Sequence, residues 1–259
     1  MSFKEFALQV VAIAEKASDA ILEIYNASEG IKIDKKADDS PLTDADRAAN
    51  KIICDGLKQL PFPIPIISEE NKAIPYEKRK DFGYFWLVDP LDGTKEFIKR
   101  NGEFTVNIAL VKGNRPVLGV VVAPVLKQSF WAVQGEGAHL VENGKSQQLE
   151  ATKFKMSDEG LGVVCSRSHL NDETKAIINK LNNPKLVATG SSLKFLILAQ
   201  GKAQVYPRVA PTMEWDTGAA QIILEEAGGK VVRYDNEEPL EYNKESLLNP
   251  YFMAYGNVQ

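Results

Sequence analysis

Two aspartates three residues apart, Asp89 and Asp92, lie in the sequence D-P-L-D-G-T that occupies residues 89–94. The apolar run before them, 84–88, has the length and the β-branched and aromatic content of a buried strand. Pro90 cannot donate a ladder hydrogen bond and Gly93 opens backbone angles closed to other residues, so the strand is expected to stop here, with a short helix over 95–100. Both carboxylates then point into one crevice. Crowded carboxylates repel one another and resist desolvation, and a divalent cation is the simplest partner that resolves the conflict. Taken alone, the same residues could make an ordinary turn, since Asp, Pro and Gly dominate turns. The rest of the chain shifts the balance.

Further carboxylates fall where strands should end or helices begin: Asp44 and Asp46, Glu69 and Glu70, and Asp216 in M-E-W-D-T-G over 213–218. Asp44 and Asp46 could act only as first-turn charges on a helix dipole, and Glu70 reads as a solvated neighbour of Glu69. The chain has only two histidines, His139 and His169, so a histidine-rich metal site is excluded by count. Oxygen ligands alone suit a hard cation such as Mg²⁺ and disfavour zinc or copper. Mg²⁺ on carboxylates keeps positions for water and phosphate oxygens, and two such ions can serve the attacking and leaving oxygens of a phosphoryl transfer. The spacing therefore points to Mg²⁺-dependent phosphate chemistry without choosing a substrate. There is no G-x-x-x-x-G-K-[ST] loop and no G-x-S-x-G elbow, and D-x-x-D differs from the D-x-D of haloacid-dehalogenase phosphoenzymes.

Apolar residues at three- and four-residue spacing over 3–25 (Phe3, Phe6, Val10, Ile13, Ala17, Ile21, Ile24) predict an amphipathic helix. After a polar stretch, Thr43 or Asp44 should cap a second helix that runs to about residue 57. Strands are expected over 64–68, 104–111, 117–122 and 129–133, with links short enough to favour antiparallel neighbours. From residue 156 the pattern changes: strands over 161–166, 186–189, 203–209, 230–234 and 251–255 alternate with helices over 172–181, 192–200 and 214–227. That alternation indicates an α/β unit. The organisation expected is an α+β subdomain over 1–155, with a helix pair on a largely antiparallel sheet, and an α/β subdomain over 156–259, with a cleft between them.

At 259 residues and 44% apolar content the chain can bury a large core, and a formal charge of −4 argues against a general nucleic-acid binder. Cys54 and Cys165 both lie in apolar surroundings and read as buried thiols of a reducing compartment rather than a disulfide. No signal-peptide core or run approaching a membrane span is present, so a cytoplasmic location is expected.

The sequence D-P-L-D-G-T with Trp215-Asp216 downstream, and Glu69 before it, resembles the paired motifs of the inositol monophosphatase superfamily. K-A-D-D-S-P-L-T at 36–43, the whole block 86–107, C-S-R-S-H at 165–169 and G-S-S-L-K-F at 190–195 are similar to its bacterial CysQ branch of 3′(2′),5′-bisphosphate nucleotidases. The likeness covers essentially the whole chain. It implies a layered α-β-α-β-α sandwich of the inositol monophosphatase and fructose-1,6-bisphosphatase type, combining α+β and α/β parts. It also implies two or three Mg²⁺ ions on Glu69, Asp89, the Leu91 carbonyl, Asp92 and Asp216. Asp46 and Thr94 match the pair that activates the attacking water. Gly93 and Thr94 match positions whose backbone N–H groups meet phosphate, and Ser191, Lys194 and Arg208 match substrate positions suited to a second phosphate and an adenosine.

The activity implied is hydrolysis of the 3′-phosphate of adenosine 3′,5′-bisphosphate, and of its sulfated form, by a metal-activated water, with inhibition by Li⁺ and Ca²⁺. Other readings stay open at this stage. The substrate could be an inositol or sugar monophosphate, and the fold could serve as a non-catalytic nucleotide sensor. Ser192 could be a plain helix cap, Lys194 a solvated helix residue, Arg208 the partner of a local carboxylate, His169 a structural or surface residue, and Trp215 a packing residue that orients Asp216.

Overall fold

The computed structural model describes residues 2–27, 33–35, 41–165 and 171–259. Helix α1 (Phe3–Asn26) precedes the short strands β1 (Ile33–Lys35) and β2 (Pro41–Thr43), helix α2 (Asp44–Lys58), strand β3 (Ile66–Ser68) and the single turn α3 (Tyr76–Arg79). Strand β4 (Tyr84–Asp92) leads through the short α4 (Thr94–Ile98) into a meander of β5 (Thr105–Lys112), β6 (Arg115–Ala123), β7 (Gln128–Val133), β8 (Gly137–Glu142) and β9 (Lys145–Gln148). The chain continues through β10 (Lys153–Phe154), β11 (Gly162–Cys165), α5 (Asp172–Ile178), β12 (Lys185–Ala188), α6 (Leu193–Ala199) and β13 (Val205–Arg208). It closes with α7 (Glu214–Glu226), β14 (Lys230–Arg233), β15 (Phe252–Tyr255) and β16 (Asn257–Val258).

Strands β3 to β9 form one seven-stranded sheet in sequential order, antiparallel as the short links require, except that β3 runs parallel to β4. Its central strands are apolar on both faces, which means that both faces are covered. Trp86, Val88, Ile108 and Leu110 pack with α1 and α2, whereas Phe85, Leu87, Ala109 and Val111 share a core with α6 and α7. That second core continues into Val164, Tyr206, Phe252 and Ala254 of a five-stranded sheet ordered β12-β11-β13-β15-β14. The far face of the five-stranded sheet packs Val163, Val205 and Met253 with Ile178 of α5. The layers are α-β-α-β-α, the sandwich expected. The second sheet is mixed: β11, β12 and β13 are parallel, and β15 is antiparallel to both β13 and β14. The largest core unites residues on both sides of position 155, from Phe85 and Phe130 to Phe195 and Phe252.

Two local expectations are corrected. The strand before Pro90 does not stop there. Asp89 pairs with Asn107 and Asp92 with Thr105, so Pro90 and Leu91 together stand opposite Val106 in a bulge, where the missing proline donor is not required. Phe3 belongs to the apolar stripe by spacing, yet it is 59% exposed, beside Phe62 and Tyr84 in an open groove. Strands β8 and β9 extend the sheet beyond what was expected: β8 turns Ala138 and Leu140 inward, whereas all four side chains of β9 are polar and exposed. Both cysteines are buried and free, as composition suggested. Among the described residues no helix is long and apolar enough to cross a membrane.

Helix α7 lies close to the seven-stranded sheet because residue 119 of β6 is glycine. A Cβ there would stand 2.3 Å from the carbonyl oxygen of Ala219 and 2.5 Å from Ile222 Cγ2. Gly119→Ala should therefore destabilise the protein by about 2 kcal/mol through overpacking, read as a lower urea midpoint. An unchanged midpoint would contradict this close approach.

Candidate active site

Several elements deliver the functional side chains. Thr43 caps α2 through its side chain, and Asp46 completes the capping box: its Oδ2 accepts the Thr43 backbone N–H at 2.7 Å and the Thr43 hydroxyl at 2.6 Å. The other oxygen, Oδ1, faces Thr94, whose Oγ1 lies 3.2 Å away and also 3.3 Å from the Leu91 carbonyl. Capping and site chemistry are thus divided between the two oxygens of one buried carboxylate. Asp44, by contrast, points outward to Arg47.

The bulge in β4 arranges the centre. Leu91 N–H donates to Asp89 Oδ1 at 3.0 Å, holding that carboxylate against its own turn. Gly93 follows in the left-handed region with φ of 95°, and a Cβ there would stand 3.0 Å from the Glu103 carbonyl. The parallel β3 ladder and the Glu69 N–H to Val88 carbonyl bond bring Glu69 alongside Asp89. On the other side, Asp92 Oδ2 accepts Ser191 Oγ at 2.8 Å and Ser192 N–H at 2.6 Å, across ninety-nine and one hundred residues of sequence. Asp216, in the first turn of α7, accepts the Met213 N–H at 2.9 Å.

Burial pushes the Asp89 carboxyl well above the usual carboxylate range, and the charges of Glu69, Asp92 and Asp216 add to the shift. Asp216 keeps some solvent access, yet desolvation first and Asp92 next push it up to about 8, against a smaller opposite pull from the Met213 N–H. Carboxylates crowded by one another's charge favour any bound positive charge, so a divalent cation can displace their protons and relieve the repulsion. Among the described residues no three acidic groups form a finished cage. One oxygen each of Asp89, Asp92 and Asp216 is held by a protein donor, which aims the side chains. With the Leu91 carbonyl, which faces Thr94, this all-oxygen donor set suits Mg²⁺ in chemistry.

Beside the carboxylates lies a cavity of about 180 Å³, lined among others by Asp92, Ser191, Lys194, Tyr206, Arg208 and Asp216. Lys194 is buried rather than solvated. Its Nζ donates to the Ser191 carbonyl at 2.7 Å and stands 5.7 Å from the Tyr206 ring centre, and burial lowers its pKa to about 8 against the opposing pull of Asp92. Arg208 bonds the Pro211 carbonyl at 2.9 Å rather than a carboxylate, and its Nε is buried without a protein partner. All the expected site residues converge on this region: Asp46, Glu69, Asp89, Leu91, Asp92, Gly93, Thr94, Ser191, Lys194, Arg208 and Asp216. His169 and residues 36–40 lie outside the described residues. His139 stacks on Trp131 at 4.2 Å, a packing role.

Sequence reasoning missed Thr105 and Asn107. Thr105 Oγ1 lies 2.6 Å from Ser191 Oγ and 2.8 Å from Ser192 Oγ, and Ser192 Oγ donates to Asn107 Oδ1 at 2.8 Å. Ser192 is therefore a link from α6 to β5 and makes no side-chain cap bond. Ser191 sits at φ of 54°, a strained angle for a non-glycine residue, with its hydroxyl committed to Asp92 and Thr105. The available signal was two polar residues at the same parity in an otherwise apolar strand.

The model of the inositol monophosphatase family matches residues 3–255. The chain belongs to that family. A 3′(2′),5′-bisphosphate nucleotidase CysQ of Salmonella typhimurium is 45% identical over 245 residues, covering 94% of this chain and 97% of its own. The protein of the same description from Escherichia coli is 44% identical over the same length and coverage. A solved CysQ from Bacteroides thetaiotaomicron, described as a bacterial member of the family, superposes with a TM-score of 0.86 at 43% identity, covering 100% of this chain and 99% of its own. An inositol monophosphatase of Thermotoga maritima, at 23% identity and a TM-score of 0.77, shares the fold. These relatives support a phosphatase within the family.

Asp216→Asn removes one of the repelling charges and keeps an acceptor for Met213. The metal-free variant should melt above the metal-free wild type in calorimetry, and should lose most of any stabilisation by Mg²⁺, which for a one-site binder amounts to about 2.7 kcal/mol at a hundredfold excess over Kd. A lower metal-free midpoint would argue against the repulsion.

Proposed function

We propose that the chain is a Mg²⁺-dependent phosphatase that removes the 3′-phosphate of adenosine 3′,5′-bisphosphate to give AMP and phosphate, and acts likewise on 3′-phosphoadenylyl sulfate. One observation carries the reading: the cavity that contains Asp92 and Asp216 also contains Lys194 and Arg208. A monoester has no use for two further cations, whereas a second phosphate matches them, the guanidinium through its planar donors. The CysQ relatives support the same substrate class. Two free, buried cysteines suit a reducing compartment.

Glu69, Asp89, the Leu91 carbonyl, Asp92 and Asp216 would hold two or three Mg²⁺ ions. Bound there, Mg²⁺ would supply Lewis acidity, lowering the pKa of a water and offsetting charge on the leaving 3′-oxygen. The protein's own part starts with Thr94. Its hydroxyl is within hydrogen-bond reach of Asp46 Oδ1, so as it accepts a proton from the attacking water it passes its own to that carboxylate, which holds it. Asp46 keeps that orientation because its second oxygen is fixed by Thr43. The water attacks phosphorus directly, and no side chain needs to become phosphorylated. Ser191 and Ser192 hold Asp92 in place, while Lys194 and Arg208 fix the second phosphate. Desolvation penalises the Lys194 ammonium and so favours its pairing with an anion, while the charge of Asp92 opposes the loss of its proton.

Phosphate release from adenosine 3′,5′-bisphosphate should far exceed that from inositol 1-phosphate, require Mg²⁺, and be suppressed by Li⁺. Equal or reversed preference would discard the nucleotide reading, and tight binding of nucleotide without release would make the protein a sensor. Asp92→Asn should lower turnover by about 10²–10³-fold or more with little change in the melting midpoint. Full activity of that variant at ordinary Mg²⁺ would remove Asp92 from the site.

A further inference from the structure

Glu214 is an acidic residue that the reaction leaves unused. It stands two positions before Asp216 and is 0% exposed. Its carboxylate accepts three bonds from one segment: Lys244 Nζ at 2.5 Å, Asn243 N–H at 2.7 Å and Lys244 N–H at 3.1 Å. The same segment grips the backbone just before α7. Glu214 N–H donates to the Leu247 carbonyl at 2.8 Å, Asn249 N–H to the Thr212 carbonyl at 2.8 Å, and Asn249 Nδ2 to the Met213 carbonyl at 2.8 Å. Met213 in turn donates to Asp216 Oδ2 at 2.9 Å.

A third partner comes from elsewhere. Arg79, 3% exposed, belongs to the excursion that joins Glu69 to Asp89. It donates through Nη1 to Asn243 Oδ1 at 2.9 Å and through Nη2 to the Glu245 carbonyl at 2.8 Å, and its own carbonyl accepts Asn243 Nδ2 at 2.8 Å. Buried ion pairs seldom repay their desolvation in stability, and their best attested use is to fix geometry. Here the geometry at stake is clear. Repulsion among Glu69, Asp89 and Asp216 tends to push the start of α7 away from β4, and the bonds of Arg79 and Glu214 to residues 243–245 oppose that movement.

We propose that Arg79, Asn243, Lys244 and Glu214 form a positioning clamp that holds Asp216 against Glu69 and Asp89, so that one cation site is assembled from distant parts of the chain. The clamp touches neither substrate nor cation and rests on the reading of those carboxylates as cation ligands. It acts through the backbone of residues 212–216.

Mg²⁺ titration calorimetry on the full chain, without substrate, tests it. In Lys244→Met, the lost side chain is only 26% exposed and Glu214 keeps its two backbone donors. Its Mg²⁺ affinity should fall about tenfold, the size expected for residues that orient metal ligands. Saturating Mg²⁺ should restore kcat. Glu214→Gln, which keeps the shape and an acceptor, is the milder variant and should show a smaller loss in the same direction. Ile53→Val, in the core on the opposite face of the seven-stranded sheet, should lower the melting midpoint without moving Mg²⁺ affinity. Wild-type affinity in both clamp variants, or an equal loss in Ile53→Val, overturns the clamp alone. A wild-type protein that binds no Mg²⁺ overturns the ligand reading and the clamp together.

Discussion

Glu69, Asp89, Asp92 and Asp216 share one poorly hydrated corner of the molecule, and their mutual repulsion is the constraint around which the fold is built. Beyond burial, the charges of Glu69, Asp92 and Asp216 raise the proton affinity of Asp89, and those of Asp92 and Glu69 raise that of Asp216. Left to themselves such groups would move apart or draw in water. They stay because each is placed by an element that the core holds rigidly: β3 and β4 in the centre of a sheet covered on both faces, and α7 wedged between two sheets. Stability made by apolar layers is spent on a local arrangement that is unfavourable without a cation.

The devices that do this are small and local. A two-against-one bulge at Pro90 and Leu91 turns a carbonyl toward the site without breaking the strand. Gly93 takes a backbone angle and a close approach that other residues would strain to match. Ser191 accepts a left-handed angle so that its hydroxyl can reach Asp92. Thr43 consumes one oxygen of Asp46 and leaves the other for Thr94. In each case a backbone irregularity or a cap is what converts a carboxylate with freedom to rotate into one with a fixed direction.

Much of this was legible in the sequence, because periodicity and carboxylate placement are local signals. The stripe of α1, the cap at Thr43, the antiparallel run from β5 to β7 and the helix from Glu214 follow from spacing and from turn residues. The carboxylate clusters were legible because acids recur at strand ends and helix starts, whereas their assignment as a ligand set comes from the family resemblance. What spacing could not show is contact across distance. Thr105 and Asn107 read as strand residues until α6 lies over them, and no spacing links Arg79 to Asn243, 164 residues away. Pro90 misled for a physical reason, since a proline ends a regular ladder but fits a bulge. Strand β9 carries no apolar period because none of its side chains is buried.

If the carboxylate corner exists to be completed by cations, heavy-metal replacement should show it directly. Crystals grown with Mn²⁺, a close substitute for Mg²⁺ that scatters anomalously, should give anomalous peaks within about 2.2 Å of oxygens from Glu69, Asp89 and Asp216 and of the Leu91 carbonyl, with Asp89 shared between peaks. Peaks elsewhere, or none at millimolar Mn²⁺, would contradict the view that these carboxylates are held together for a metal.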